Sequence, residues 1–297
     1  MVMSNSSGTS GDLSGDVTTV LTLQCPDAPG IVAAVATHIA DCHGNIARAD
    51  QESDTESHVF LQRIEINGPI DWSAFHSGME KLVERFSMKW ELHHPTEQQK
   101  IVIACSQELY CAADLLTRVS LGELPAEIVA VVSDKPEARQ LADRFGIPFH
   151  LVSGGLTGDE RAQQEKHFAK VLNELSPDLV VLARYMRILP AAIVDQWNGR
   201  MINIHHSFLP AFPGARPYHR AHQRGVKLIG ATAHYVTAEL DAGPIIAQGV
   251  VNVSHRDAVS DLVRKGRDVE RKTLADAVRM HLEHRVLVWE NRTCVFA

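Results

Sequence analysis

The sequence predicts an α/β protein in two parts, a small ferredoxin-like βαββαβ domain followed by an open, doubly wound, mostly parallel α/β domain. Three observations carry that prediction. From Val17 onward, strand and helix patterns alternate in the order of a split βαβ unit over about 80 residues. Past residue 100, short apolar runs such as Leu179-Val180-Val181-Leu182-Ala183 recur between helical stretches, as strands buried on both faces do. The 297 residues are also comfortable for two domains.

Residues 1–16 are rich in Ser and Gly and lack a basic segment followed by an apolar one, which suits a disordered tail rather than a signal peptide. Val17 to Gln24 alternates branched apolar and polar residues, the texture of a half-buried strand. The turn residues Pro26-Asp27-Ala28-Pro29-Gly30 end it. Ile31, Val32, Val35 and Ile39 then follow at helical spacing, and Gly44 is expected to take the left-handed conformation that stops the helix. Strands are expected over 45–50 and 57–66. Trp72, Phe75, Met79, Leu82, Val83 and Phe86 mark an amphipathic helix, and 88–93 a last strand. This first domain is placed at 17–94, a polar linker at 95–100 and the larger domain at 101–297. In the latter, strands are expected at 101–105, 127–133, 149–152, 179–183, 201–205 and 230–236, with crossover helices at 136–145 and 159–175. Ligands of such a fold sit beyond the carboxyl ends of its strands.

Composition narrows the function. Hydrophobic residues make up 45% and charged residues 22%, as in ordinary globular proteins, and the net charge is -7. That charge disfavours nucleic-acid binding, which needs clustered Lys and Arg. No apolar run reaches the roughly 18 residues of a spanning helix, so no membrane partner is expected, and the cytoplasm is the expected location. The five cysteines, odd in number and without a CxxC pair, read as reduced and mostly buried.

The chemistry-bearing tract is Asn203-Ile204-His205-His206-Ser207, together with Asp241 in a loop bounded by Gly243 and Pro244. Asn203 and His205 are two apart on one expected strand, so their side chains share a face. An amide donor and an imidazole can thus converge on one carbonyl, with Asp241 orienting the imidazole and favouring its charged form. Spacing alone leaves a structural role for the Asn-x-His pair open. His219 and His222 could share a helix face, yet no further ligand stands at zinc spacing, and no metal or cofactor is expected. The first α/β turn, Cys105-Ser106-Gln107-Glu108-Leu109-Tyr110, lacks the glycines of a dinucleotide or phosphate cradle.

From about Lys100 onward the chain resembles the folate-dependent formyltransferase family. The resemblance rests on Leu182-Ala183-Arg184-Tyr185-Met186-Arg187-Ile188-Leu189, on Asn203-x-His205-His206-Ser207-Phe208-Leu209-Pro210, and on Thr237-x-Glu239-Leu240-Asp241-x-Gly243-Pro244. It implies that Asn203, His205 and Asp241 form a catalytic triad. It also implies that Leu182, Met186, Arg187, Ile188, Leu189, Val236, Thr237 and Glu239 line a folate pocket. The tract from His205 to His219 and the run Gly266-Arg267-Asp268-Val269-Glu270 are similar to the branch that hydrolyses the formyl group. Gln107 and Tyr110 depart from that branch, where a basic residue and a histidine are expected.

The N-terminal Cys25-Pro26-Asp27-x-x-Gly30-Ile31 signature is similar to an ACT domain, the kind of module that branch carries. It implies a regulatory and oligomerising unit, with Asp27, Gly30, Ile31 and Asn45 at an amino-acid effector site and glycine or methionine as ligands to try. The implied reaction is hydrolysis of 10-formyltetrahydrofolate to tetrahydrofolate and formate, supplying formate for purine synthesis, by a homo-oligomer. The alternatives are formyl transfer to an amine acceptor, glycinamide ribonucleotide or an initiator transfer RNA, and a non-catalytic sensor of folate and amino acid.

Overall fold

The computed structural model describes residues 18–94, 98–209 and 217–297. The expected tail, 1–16, lies outside them, as do residues 95–97 of the expected linker. The chain separates into two units between Glu97 and Gln98. No helix among the described residues is long and apolar enough to cross a membrane.

The first unit runs β1 (Thr19–Pro26), α1 (Ile31–Asp41), β2 (Asn45–Asp54), β3 (Val59–Asn67), α2 (Trp72–Phe86) and β4 (Lys89–His93). Its strands form an antiparallel sheet in the order β2-β3-β1-β4. Period-two alternation turns Leu21 and Leu23 of β1 to one face, opposite Ile64 and Gln62 of β3. There Ile31, Val35 and Ile39 of α1 and Phe75, Met79 and Leu82 of α2 close over them in a single core. Asp71 caps α2 by accepting the Ala74 N–H at 3.0 Å, a contact worth about 1 kcal/mol. The stop of α1 differs from expectation. His43 takes the left-handed conformation at φ 63° and Gly44 does not. Gly44 is needed for space instead, since a Cβ there would lie 2.9 Å from Ile39 Cγ2 and 3.1 Å from Ile66 Cγ2.

The second unit runs β5 (Gln99–Cys105), α3 (Tyr110–Ser120), β6 (Ala126–Ser133), α4 (Ala138–Arg144), β7 (Phe149–Leu151), α5 (Gly158–Leu175), β8 (Leu179–Leu182), α6 (Ala191–Gln196) and β9 (Met201–His205). It continues with α7 (Pro217–Arg224), β10 (Leu228–Tyr235), β11 (Ile245–Asn252), α8 (Val259–Leu282), β12 (Val286–Trp289) and β13 (Arg292–Val295). β5 begins two residues inside the expected linker, because Gln99 and Lys100 pair with Ala126 and Glu127 of β6. The large sheet has the order β11-β10-β9-β8-β5-β6-β7, parallel from β9 to β7. β10 is antiparallel to both β9 and β11. β12 and β13 form a separate hairpin.

Both faces of this sheet are covered, as its apolar strands require. Leu115 and Leu116 of α3 and Leu274 and Val278 of α8 pack on Ile103, Val131 and Val181. Phe168 and Leu172 of α5, with Trp197, pack on Val102, Val132 and Val180 of the opposite face. The connection reverses direction between β5 and β8, which opens a crevice above their carboxyl ends.

Candidate active site

β9 delivers Asn203 and His205 toward its carboxyl end, on one face of the sheet. Antiparallel pairing sets Thr232 of β10 opposite His205 and His234 opposite Asn203. Cross-strand partners share a face, so His234 joins the site. It is 2% exposed, and its Nε2 lies 3.2 Å from Asn203 Nδ2. His234 Nδ1 faces the Tyr235 carbonyl oxygen at 2.8 Å. A carbonyl only accepts, so Nδ1 carries a proton, and in the neutral ring Nε2 accepts from the Asn203 amide. His234 therefore fixes which way the carboxamide points.

Asp241 arrives from the loop between β10 and β11. Its backbone is left-handed, φ 54°. The loop closes through Tyr235 N–H to Pro244 O at 2.9 Å. A Cβ at Gly243 would collide with the Tyr235 carbonyl, which accounts for the Asp-x-Gly-Pro pattern. Asp241 Oδ2 is 3.1 Å from His205 Nδ1, and Oδ1 is 3.6 Å from His234 Nε2. The hydrogen bond from His205 is the main cause that holds the Asp241 carboxyl well below the usual carboxylate range. Since Nδ1 of His205 donates to this carboxylate, Nε2 points the other way, 2.8 Å from Ser207 Oγ. Next to it, burial lowers the His206 pKa to about 4, helped by the charge of Arg184.

His205 and Asp241 thus meet, Asn203 stands beside them through His234, and His234 is a fourth group that the sequence reading does not name. Its only signal was a polar residue inside an expected strand, and its partner depends on a register that sequence does not display. The expected folate residues divide. Met186, Arg187, Ile188 and Leu189 line a cleft with Leu156 and Phe168. Met186 and Ile188 are each 60% exposed beside this cleft. Leu182 is buried at the end of β8 and Val236 packs against the same core. Thr237 bonds the Glu239 carbonyl within the Asp241 loop.

Arg187 lines this cleft and is also tied down. Its guanidinium bonds Asp134 at 2.8 Å and the carbonyls of Gly154 and Gly155, so it anchors the loop instead of offering a free cation. In the first unit Ile31, expected at the effector site, is 1% exposed and belongs to the core. Gly30 has φ 91° at the start of α1. The Asp27 N–H bonds the His58 carbonyl, and the Asn45 amide donates to Asn67 at 2.8 Å. Among the described residues no group of three His, Cys, Asp or Glu side chains is arranged to hold a metal.

The sequence matches the family model described as formyl transferase over residues 99–278. It is 48% identical to a formyltetrahydrofolate deformylase of Synechocystis sp., covering 95% of this chain and 99% of that one. The crystal structure of a formyltetrahydrofolate deformylase from Pseudomonas syringae pv. tomato superposes with a TM-score of 0.91 at 44% identity, over 96% of each chain. Glycinamide ribonucleotide transformylase 1 from Symbiobacterium toebii superposes with a TM-score of 0.63 at 31% identity, over 67% of this chain and 95% of that one.

Proposed function

The chain belongs to the formyltetrahydrofolate deformylases of the formyl transferase family, and from that premise we propose how its site hydrolyses 10-formyltetrahydrofolate to tetrahydrofolate and formate. The single observation that carries the residue assignment is Asp241 held 3.1 Å from His205 Nδ1, with Asn203 two residues away on the same strand face.

One hydrogen of the Asn203 amide goes to His234, and the other is free to meet the formyl oxygen. That bond strengthens as the carbonyl becomes an oxyanion. His205, charged and steered by Asp241, turns Nε2–H from Ser207 to the same oxygen. The Asp241 carboxylate draws a proton from the water that attacks the formyl carbon. The tetrahedral intermediate then breaks its C–N10 bond. N10 takes one of the two water protons, and the other leaves as formic acid ionises to formate. Neither formyl transfer to an amine nor a sensor role is favoured, because the similarity to deformylases spans nearly the whole chain.

The folate is read as lying with its ring against Met186, Ile188 and Leu189, supported by their exposure beside the cleft. The first unit is read as an ACT domain, supported by its βαββαβ order and the left-handed turn at Gly30. With it come assembly into a homo-oligomer, regulation by a small amino acid such as glycine or methionine near Asp27 and Asn45, and a cytoplasmic location. No cofactor is required by the steps above.

The test is purified protein with 10-formyltetrahydrofolate and no acceptor. Formate and tetrahydrofolate should appear in equal amounts. Folate binding without release of either would overturn the reading.

A further inference from the structure

The crevice above β5 and β8 is where an open α/β sheet receives ligands. In this protein, side chains that follow those strands meet there. Glu270 of α8 is 1% exposed. It accepts hydrogen bonds from the Tyr110 hydroxyl at 2.6 Å and the Tyr218 hydroxyl at 2.7 Å. Arg184, which follows β8, approaches the same carboxylate at 3.5 Å. The Tyr218 ring stands 6.4 Å from that of His206, which stands 5.2 Å from that of His205. The cluster therefore borders the triad.

Several features hold it in place. A Cβ at Gly266 would collide with the Tyr218 hydroxyl, so glycine lets Tyr218 reach Glu270. Arg267 lies over the Tyr110 ring at 5.3 Å and pairs with Glu108 at 2.8 Å. Arg184 is left-handed at φ 64°, rare outside glycine, with its carbonyl accepting the Ser106 N–H at 3.2 Å. The run Gly266-Arg267-Asp268-Val269-Glu270 and the glycine-free turn ending at Tyr110, which hydrolysis leaves unexplained, thus serve one purpose.

We propose, resting on the deformylase reading, that Tyr110, Tyr218, Arg184 and Glu270 form a plug that excludes amine acceptors from the formyl group, leaving water as the nucleophile. The fold itself does not exclude them, since it is shared with a protein named as a glycinamide ribonucleotide transformylase. In the excluded reaction an amine nitrogen bonds to the formyl carbon, the C–N10 bond breaks, and the amine proton goes to N10. That chemistry needs the same oxyanion donors but far more room than water does. Removing a tyrosine would open that room and also bare a carboxylate able to bind an amine.

Purified protein is given 10-formyltetrahydrofolate with and without glycinamide, and formate and N-formylglycinamide are quantified together. Wild type should give formate alone. Tyr110→Ala and Tyr218→Ala should raise the ratio of N-formyl product to formate by about tenfold or more over the background without enzyme. Tyr110→Phe, which keeps the ring, should stay at the wild-type ratio. N-formylglycinamide from wild type overturns the plug, as does a folded alanine variant that still releases formate at the wild-type ratio. Equal ratios in Tyr110→Phe and Tyr110→Ala overturn it as well. Should neither alanine variant fold, Tyr110→Leu is read by the same criterion. A wild type that releases no formate at all overturns the deformylase reading, and the plug with it.

Discussion

Asp241→Asn keeps the size of the side chain and removes its charge, which isolates what that charge does for His205. Oδ2 lies 3.1 Å from Nδ1, so the charge centres are about 4 Å apart, worth about 4 kcal/mol at an effective dielectric near 20. A quarter of the Asp241 side chain is exposed, and solvent screening reduces this to about 3 kcal/mol. If that term acts mainly once the oxyanion has formed, kcat should fall by about 10²-fold. The cleft proposed for folate, around Met186 and Ile188, is untouched, so folate affinity should change little. The assay is formate release under saturating substrate, paired with a direct titration of folate binding. A folded variant whose kcat stays within about threefold of wild type would show that the ion pair does not support the rate-limiting step. An equal loss in kcat and in affinity would place the charge in substrate binding instead.

Asn203→Ala removes the proposed oxyanion donor and should lower kcat by about 10²–10³ with the melting temperature nearly unchanged; near-normal turnover would end its assigned role. His234→Ala frees the carboxamide to rotate, so kcat should drop by about tenfold or more while KM holds, and an unchanged kcat would show that Asn203 is oriented by something else. Gly266→Ala forces Tyr218 off Glu270, and overpacking of this kind costs about 1–3 kcal/mol; denaturant titration showing wild-type stability would contradict the packing. The depressed Asp241 pKa adds stability that is full above the unfolded carboxylate value near 4 and is lost as pH falls through the lower folded value. Thermal unfolding should therefore show the gap between wild type and Asp241→Asn narrowing below about pH 4. A constant gap down to pH 3 would remove that linkage.

Much of this was legible because the relevant forces are local. Wholly apolar runs announce strands covered on both faces, so β5, β8 and β9 could be placed within a residue or two. Period two puts Asn203 and His205 on one face whatever the rest of the chain does. What was not legible depends on register and on close approach. His234 enters the site through its pairing with Asn203, and Gly44 is needed for the nearness of Ile66, not for its own φ. α8, the longest helix, hides from an apolar-stripe reading because its buried face includes Gly266, Glu270 and Thr273. The anchoring of Arg187 by Asp134, 53 residues earlier in the chain, likewise depends on a tertiary contact that sequence does not display.

The antiparallel run of β10 has a further consequence for how the gene can vary. Three of the four polar groups of the site hang on the alignment of β9 with β10, and a slip of one residue would turn His234 to the opposite face of the sheet. On its other edge β10 already carries an irregularity in its pairing with β11, between Ala233 and His234. Single-codon insertions or deletions should therefore be tolerated in β11, where that irregularity can absorb them. In β9 or β10 they should erase activity even in copies that still fold.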